Sequence, residues 1–285
     1  MREIHLDTPF GRLAALRFGH GGTPVIALHG WLDNAASFLP LSAHLDGLDL
    51  VALDLPGHGA SAHLPASAEY TLVNAARAVL SAADALGWTR FSLLGHSMGG
   101  ATATLVAAGA PQRVARLALI EALGGLTEAE DRTAQRLREA FVAQAEPAGA
   151  RRRVFPDVAL AVRARLQAGG LGEPAARLIV ERGLAPAGDG GYAWRSDARL
   201  TRPTAVRMSE AQMRDVIAAI ECPVRLVHAV PAFRFFPADV RDARAACLRD
   251  AEVVGLDGGH HLHMEIPAQV AAVIGGFLRG ERAAS

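Results

Sequence analysis

Short apolar runs alternate with longer amphipathic segments along most of the chain. Apolar runs predict buried strands at residues 24–28, 48–53, 91–94, 117–120, 224–228 and 252–256. Two further strands are predicted at 3–8 and 12–18, and helical spacing of apolar residues occurs at 71–86, 238–248 and 267–278. Because strands that alternate with helices form parallel sheets covered on both faces, the pattern predicts an α/β core.

The pattern changes to helix alone near residue 126. The segment Thr-Glu-Ala-Glu at 127–130 matches a capping box and predicts a helix from there to about 145. More helical segments follow, separated by glycine and proline, and Ser209 is predicted to cap one ending near 220. The strand and helix alternation then resumes. We therefore predict a core formed by 1–125 and 221–285, with a helical cap (lid) inserted at 126–220.

One motif for nucleophilic catalysis stands at a strand end. Residues 95–99 read Gly-His-Ser-Met-Gly, which matches G-x-S-x-G. The motif follows a predicted apolar strand and opens an alanine-rich helix, the setting that a nucleophile elbow requires. Small residues suit so tight a turn, and a helix N-terminus behind Ser97 favours developing negative charge. The alternative is a glycine-rich helix start that Ser97 merely caps.

A serine nucleophile needs a base from elsewhere in the chain. His260 comes directly after two glycines that follow the last predicted strand, and a loop there returns to the same sheet edge as Ser97. We therefore predict His260 as the base. The neighbouring His261 and His263 are interpreted as packing groups or as groups that support the catalytic residues. His58 and His228 also end strands and are candidates to line the site, although a structural, hydrogen-bonded role is favoured for each.

The same loop offers a second reading as a metal site. Its candidate ligands are the side chains of His260, His261, His263 and Glu265. One short loop rarely supplies a closed ligand set, so we expect no metal and no cofactor. The oxyanion donors are predicted to be the backbone N–H of Met98, directly after the nucleophile, and that of Trp31, in the loop after the strand at 24–28.

Taken together, these motifs resemble the α/β-hydrolase superfamily. The resemblance rests on residues 29–31, 54–59, 95–100 and 259–260 in that order. It implies the α/β-hydrolase fold, a mostly parallel eight-stranded sheet with a helical cap insertion. Residues 192–200 and 259–265 more narrowly resemble the serine hydrolase-like branch, whose members are mostly assigned as hydrolases by homology.

The acid of the triad departs from the commonest pattern of that superfamily. Ala232 stands about where the family usually has Asp, a few residues beyond the strand at 224–228. Some members place the acid after the preceding core strand, where this chain has Glu121. Glu121 is therefore the predicted acid, and Asp239 is the alternative. A triad without an acid also remains open.

Substrate contacts are predicted only broadly. Phe233, Phe235 and Phe236 are candidates for an apolar wall around the acyl group, although each is as well explained by core packing. His96, beside the nucleophile, is a further candidate for substrate contact. The arginines at 151–153 are interpreted as a solvated face of the cap.

Composition narrows the classes of function that remain. All 29 basic residues are arginine, so Schiff-base chemistry, a Ser–Lys dyad and a P-loop lysine are excluded. The 29 acids cancel them, leaving no net positive charge to bind nucleic acid. Two cysteines are too few for a disulfide framework, and no apolar run is long enough to span a bilayer. With a charged N-terminal segment in place of a signal peptide, we expect a soluble, cytoplasmic protein without a membrane partner.

These observations predict a serine hydrolase that cleaves carboxylic ester bonds of a small, largely apolar substrate. Ser97 is the nucleophile, His260 the base and Glu121 the acid, and the partner is a small acyl molecule. Thioesterase, lactonase, carbon–carbon hydrolase and perhydrolase activities remain open with the same residues. A ligand-binding protein on a hydrolase scaffold is the alternative of another class. The oligomeric state is not predicted.

Overall fold

An eight-stranded sheet forms the centre of the molecule. The computed structural model describes residues 1–146, 153–188 and 190–281. The strands of this sheet are β1 (Arg2–Thr8), β2 (Gly11–Phe18), β3 (Thr23–Leu28), β4 (Leu48–Leu53), β5 (Phe91–His96), β6 (Val114–Ile120), β10 (Val224–Val230) and β11 (Ala251–Asp257). Their spatial order is β1-β2-β4-β3-β5-β6-β10-β11. Only the pairs of β2 with β1 and β4 are antiparallel in the described sheet, which confirms the mostly parallel fold class.

Helices cover the two faces of this sheet. They are α1 (Leu39–Ser42), α2 (Leu72–Ala85), α3 (Met98–Gly109), α8 (Ala238–Ala245), α9 (Leu262–Glu265) and α10 (Pro267–Arg279). One apolar cluster packs α2 and α3 against the sheet, and a second packs α1 and α10 against the opposite face. Every residue of β4 and β5 is buried, as expected for central strands of a parallel sheet.

None of the helices in the described ranges is both long and apolar enough to cross a bilayer.

The segment between β6 and β10 contains strands as well as helices. Its helices are α4 (Thr133–Ala145), α5 (Val158–Gln167), α6 (Glu173–Gly183) and α7 (Glu210–Ala218). Three short strands, β7 (Val154–Phe155), β8 (Leu184–Pro186) and β9 (Tyr192–Trp194), form a small antiparallel sheet in the order β7-β9-β8. The sequence pattern did not predict this sheet, because runs of two or three residues carry no measurable period.

One predicted helix start is wrong and another is confirmed. Helix α4 begins at Thr133 without a side-chain cap, and the Thr127 hydroxyl instead donates to a Glu210 carboxylate oxygen at 3.1 Å. A long-range polar partner therefore replaced the local capping contact. Ser209, in contrast, forms both hydrogen bonds of a capping box with Gln212 at the start of α7.

Charged groups join this segment to the core. The Arg182 guanidinium on α6 donates to the fully buried Asp54 carboxylate at 2.7 Å, and Arg165 on α5 donates to the buried Asp33 at 2.9 Å. A buried carboxylate needs partners of this kind, so these pairs help to hold the segment on the core. Of the arginines at 151–153, the first two lie outside the described residues.

Candidate active site

Ser97 lies at a strained turn between β5 and α3. Its backbone has φ 52° and ψ −119°, a conformation that side chains other than glycine seldom adopt. The Ser97 N–H donates to the Ile120 carbonyl at 3.0 Å, which ties the turn to β6. A Cβ at Gly95 would lie 2.5 Å from the Gly100 Cα, and one at Gly99 would lie 2.0 Å from the Leu28 carbonyl oxygen. The small residues of the motif are therefore required by close backbone approach.

The structure brings His260 and Glu121 together across the carboxyl ends of the sheet. His260 Nδ1 lies 3.1 Å from Glu121 Oε2, and Glu121 Oε1 accepts the Ala229 N–H at 2.6 Å. The carboxylate is buried, and Glu121 itself has a left-handed backbone with φ 57°. Such a conformation is uncommon for glutamate, and here it accompanies a side chain whose two oxygens both have a partner.

The predicted base His260 and the predicted nucleophile Ser97 are not hydrogen-bonded to each other in this conformation. Among the described residues, the contact with Glu121 is the only hydrogen bond of the His260 ring. The Phe233 ring stacks on the His260 ring with centroids 4.3 Å apart and an interplanar angle of 24°. Hydrogen bonds between catalytic groups are often long or absent without substrate and tighten when it binds.

The two backbone N–H groups that are predicted to bind the oxyanion have no internal partner. Within the described ranges, the N–H groups of Met98 and Trp31 make no hydrogen bond to the protein. Met98 is the first residue of α3, where an unpaired N–H is expected. The Trp31 side chain is about half exposed, and its Nε1 donates to the Leu200 carbonyl at 3.0 Å. The Trp31 indole thus contacts the inserted segment.

The remaining residues of the loop after β10 are placed differently from one another. Ala232 and Asp239 are exposed, and Asp239 lies in the first turn of α8. Phe235 is exposed and packs edge-on against Phe233 with centroids 5.5 Å apart, whereas Phe236 is buried in the core. Phe233 is therefore the aromatic residue of this loop that touches a predicted catalytic group.

His96 lies beneath the site, with no exposed surface. Its Nε2 donates to the His260 carbonyl at 2.8 Å, and its ring is 4.2 Å from that of the equally buried His263. Burial first, and the neighbouring imidazoles second, lower the pKa of His96 well below its usual value. The expected substrate contact of His96 does not follow from this placement, because the ring supports the His260 backbone from inside the protein.

Two more buried histidines, His29 and His58, lie in the loops that follow β3 and β4. His29 accepts the Leu55 N–H on Nε2 at 3.1 Å, and its Nδ1 donates to the Gly30 carbonyl at 2.7 Å. His58 packs edge-on against His29 with centroids 4.9 Å apart, and its Nδ1 lies 3.1 Å from the Pro56 carbonyl oxygen. Desolvation by burial lowers the pKa of His29 to about 4 and that of His58 to about 3.

These lowered pKa values predict a loss of stability in mild acid. In the unfolded chain a histidine protonates near pH 6.5, whereas His29 and His58 stay neutral in the folded protein, so the unfolded state binds more protons below that pH. Each histidine is expected to lower the free energy of unfolding by up to about 1.4 kcal/mol per pH unit as the pH falls from 6.5 to 4. Urea unfolding at pH 7, 6 and 5 measures the slope. The variant His58→Asn should lose stability less steeply, and equal slopes for both proteins would contradict the assignment.

Several residues that hold the site were not predicted from the sequence. The Ala229 N–H, which donates to Glu121, is a main-chain group, so no residue type in the sequence identifies it. Asp33 pairs with Arg165 and lies 3.4 Å from the His261 Nε2. The signal available was the polar pair of Asp33 and Asn34 in the loop after the strand at 24–28, but the partners of Asp33 lie more than a hundred residues away.

Residues 23–267 match the family described as alpha/beta hydrolase fold. The chain belongs to that family. It is 30% identical over 289 residues to a serine hydrolase-like protein of Danio rerio, covering 97% of this chain and 88% of that one. It is also 30% identical over 295 residues to serine hydrolase-like protein 2 of Homo sapiens, covering 97% and 94%. These relatives place it in the serine hydrolase-like branch and support a hydrolase.

Solved structures agree on the fold of this alpha/beta hydrolase. A hypothetical protein of Pseudomonas aeruginosa PAO1 aligns with a TM-score of 0.90 and 44% identity, over 97% of this chain and 99% of that chain. A thioesterase domain from the curacin biosynthetic pathway aligns with a TM-score of 0.83 and 26% identity, over 96% and 98%. Both alignments extend over the inserted segment as well as the core.

Proposed function

We propose that this alpha/beta hydrolase cleaves carboxylic esters of small, largely apolar acyl groups through Ser97, His260 and Glu121. The observation that carries the proposal is the 3.1 Å contact between His260 Nδ1 and the buried Glu121 carboxylate. It occurs at the sheet edge where Ser97 occupies a strained turn. A buried carboxylate on one imidazole nitrogen leaves the other nitrogen available as a base.

The chemistry follows from the partners of each group. Glu121 accepts the Nδ1 proton of His260, so the Nε2 lone pair is free to take the proton of the Ser97 hydroxyl as Ser97 attacks the acyl carbonyl. The carboxylate then stabilises the imidazolium, which returns the proton to the departing alcohol. The unpaired N–H groups of Met98 and Trp31 supply donors for the oxyanion. Water attacks the acyl-enzyme in a second, equivalent step.

The aromatic residues beside His260 support an apolar acyl group. Phe233 covers one face of the imidazole, and the exposed Phe235 continues that surface. A thioester substrate is the second candidate, favoured by the similarity to the thioesterase domain of the curacin pathway. Both substrates use the same acyl-enzyme, so the choice between them depends on the leaving group. The cytoplasmic location and the lack of a nucleic-acid partner stay predictions.

Covalent labelling separates an enzyme from a binding protein on the same scaffold. We expect a fluorophosphonate probe to modify the intact protein at Ser97, and the variants Ser97→Ala and His260→Ala to remain unlabelled. Mass spectrometry of the peptide that carries Ser97 locates the adduct. Hydrolysis of p-nitrophenyl esters of increasing chain length then defines the acyl group. Intact protein that resists the probe across neutral pH would refute the proposal and favour the binding protein.

A further inference from the structure

Three buried polar side chains converge directly beneath the proposed catalytic groups. Asp33, His96 and His261 each offer one ligand atom, and these atoms all lie within 4.8 Å of one another. None of the three side chains is appreciably exposed. Arg165 already balances the charge of Asp33 from one side, so a proton or a cation between the three groups would serve to give their remaining lone pairs a partner.

The orientation of His96 leaves one ring nitrogen aimed into this volume. Its Nε2 carries the proton because it donates to the His260 carbonyl, so Nδ1 has the free lone pair. Among the described residues, His96 Nδ1 has no hydrogen-bond partner. A Cβ at Gly30 would lie 3.0 Å from His96 Nδ1 and 3.2 Å from Asp33 Oδ2. The two atoms therefore face the same space above Gly30, which is open only because that residue has no side chain.

His261 completes the group from the opposite side. Its Nδ1 lies 2.8 Å from the Gly170 carbonyl oxygen, so that nitrogen carries the proton and Nε2 has the lone pair in a neutral ring. Nε2 lies 3.4 Å from Asp33 Oδ2, which means that a lone pair and a carboxylate face each other. The other oxygen of Asp33 is held by Arg165 at 2.9 Å. This pairing is unfavourable unless a positive charge stands between the two atoms.

We propose that Asp33, His96 and His261 form a binding site for a divalent transition metal of the Zn²⁺ class. Imidazole nitrogens and a carboxylate oxygen are ligands that Zn²⁺ prefers, at about 2.0–2.2 Å, and three protein ligands leave a fourth position for water. Both imidazoles donate their other N–H to a backbone carbonyl, the arrangement that orients metal-binding histidines. This ligand set differs from the one considered in the sequence, because two of its members come from other loops.

The position of the site defines its role. Asp33 follows the oxyanion-donor candidate Trp31 by two residues, while His96 precedes Ser97 and His261 follows His260 directly. A bound ion thus joins the segments that carry Trp31, Ser97 and His260, and it stabilises the folded state because it binds that state preferentially. The competing arrangement is a protonated His261 paired with Asp33, which needs no ion.

Cobalt binding distinguishes the two arrangements without any measurement of hydrolysis. Chelator-treated protein titrated with CoCl₂ is expected to develop visible d–d absorption that saturates at one equivalent, and ZnCl₂ should abolish it by displacement. The variants Asp33→Asn and His261→Gln should each weaken binding at least about tenfold, because loss of even an outer-shell partner has that effect. His228→Gln is the matched control, since His228 contacts Arg241 outside the group and should bind cobalt as the wild type does.

Thermal unfolding of the same proteins provides a second measurement. ZnCl₂ should raise the midpoint temperature of unfolding for the wild type and for His228→Gln. It should leave the midpoint unchanged for Asp33→Asn and His261→Gln. Melting curves without metal establish that each variant is folded before it is titrated. Absence of a cobalt spectrum from folded wild type, or equal binding by wild type and both ligand variants, would overturn the site in favour of the ion pair. Because labelling of Ser97 is not involved, this result is independent of the proposed hydrolysis.

Discussion

Replacing Glu121 by glutamine is expected to lower kcat for ester hydrolysis by about 10³–10⁴-fold. Glu121 Oε1 accepts the Ala229 N–H at 2.6 Å, so the amide oxygen of glutamine must occupy that position and its NH₂ group must face His260. The NH₂ group would donate to His260 Nδ1 and move the ring proton to Nε2. His260 in that tautomer cannot accept the Ser97 proton, although the shape of the site is unchanged. Steady-state kinetics on the preferred p-nitrophenyl ester measures the loss.

The matched control for this prediction is Asp239→Asn. Asp239 is exposed in the first turn of α8, and its loss should change kcat less than about twofold, as is usual for a substitution at the surface. A large loss in Asp239→Asn with a small one in Glu121→Gln would reassign the acid. Small losses in both would indicate that His260 works without a carboxylate.

Replacing Gly99 by alanine is expected to destabilise the protein by more than about 4 kcal/mol. A Cβ at Gly99 would lie 2.0 Å from the Leu28 carbonyl oxygen and 2.3 Å from its carbon. Both atoms belong to β3, a central strand that is paired on its two sides and cannot move away. Urea unfolding followed by tryptophan fluorescence measures the change, and loss of soluble protein is the extreme outcome.

Gly109→Ala is the control in the same helix. Gly109 is the last residue of α3, and an added Cβ there would meet no heavy atom within 4 Å. Its unfolding free energy should therefore stay within about 1 kcal/mol of the wild type, with any change in the direction of greater stability. If Gly99→Ala is as stable as Gly109→Ala, the inference that the turn packs too closely on β3 to accept a side chain is wrong.

Elements that depend on local pattern were predicted well. Strands β3 and β4 agree with their apolar runs to within one residue, and α2 and α10 agree with their helical spacing. β5 extends two residues further than its apolar run, because Gly95 and His96 still pair with β6. The small strands between β6 and β10 were missed, and the helix expected from 127 starts at Thr133.

Groups whose role depends on a distant partner were predicted less completely. His260 and Glu121 were singled out as strand-end residues, yet only the folded chain shows that they are 3.1 Å apart. His96 was expected to meet substrate, and the structure buries it under the His260 backbone. No local pattern marks Asp33, since its partners Arg165 and His261 are remote in the chain.

The sequence by itself determined the alternation of strand and helix, the tight turn around Ser97 and the absence of lysine as an alternative base. Each of these depends on residues within a few positions of one another, whose sterics and periodicity act locally. Tertiary structure alone decided that Glu121 faces His260 and that Asp33, His96 and His261 share one buried volume. The reason is physical: a buried polar group is held by whichever partner the fold brings within hydrogen-bonding distance, and chain separation does not limit that choice.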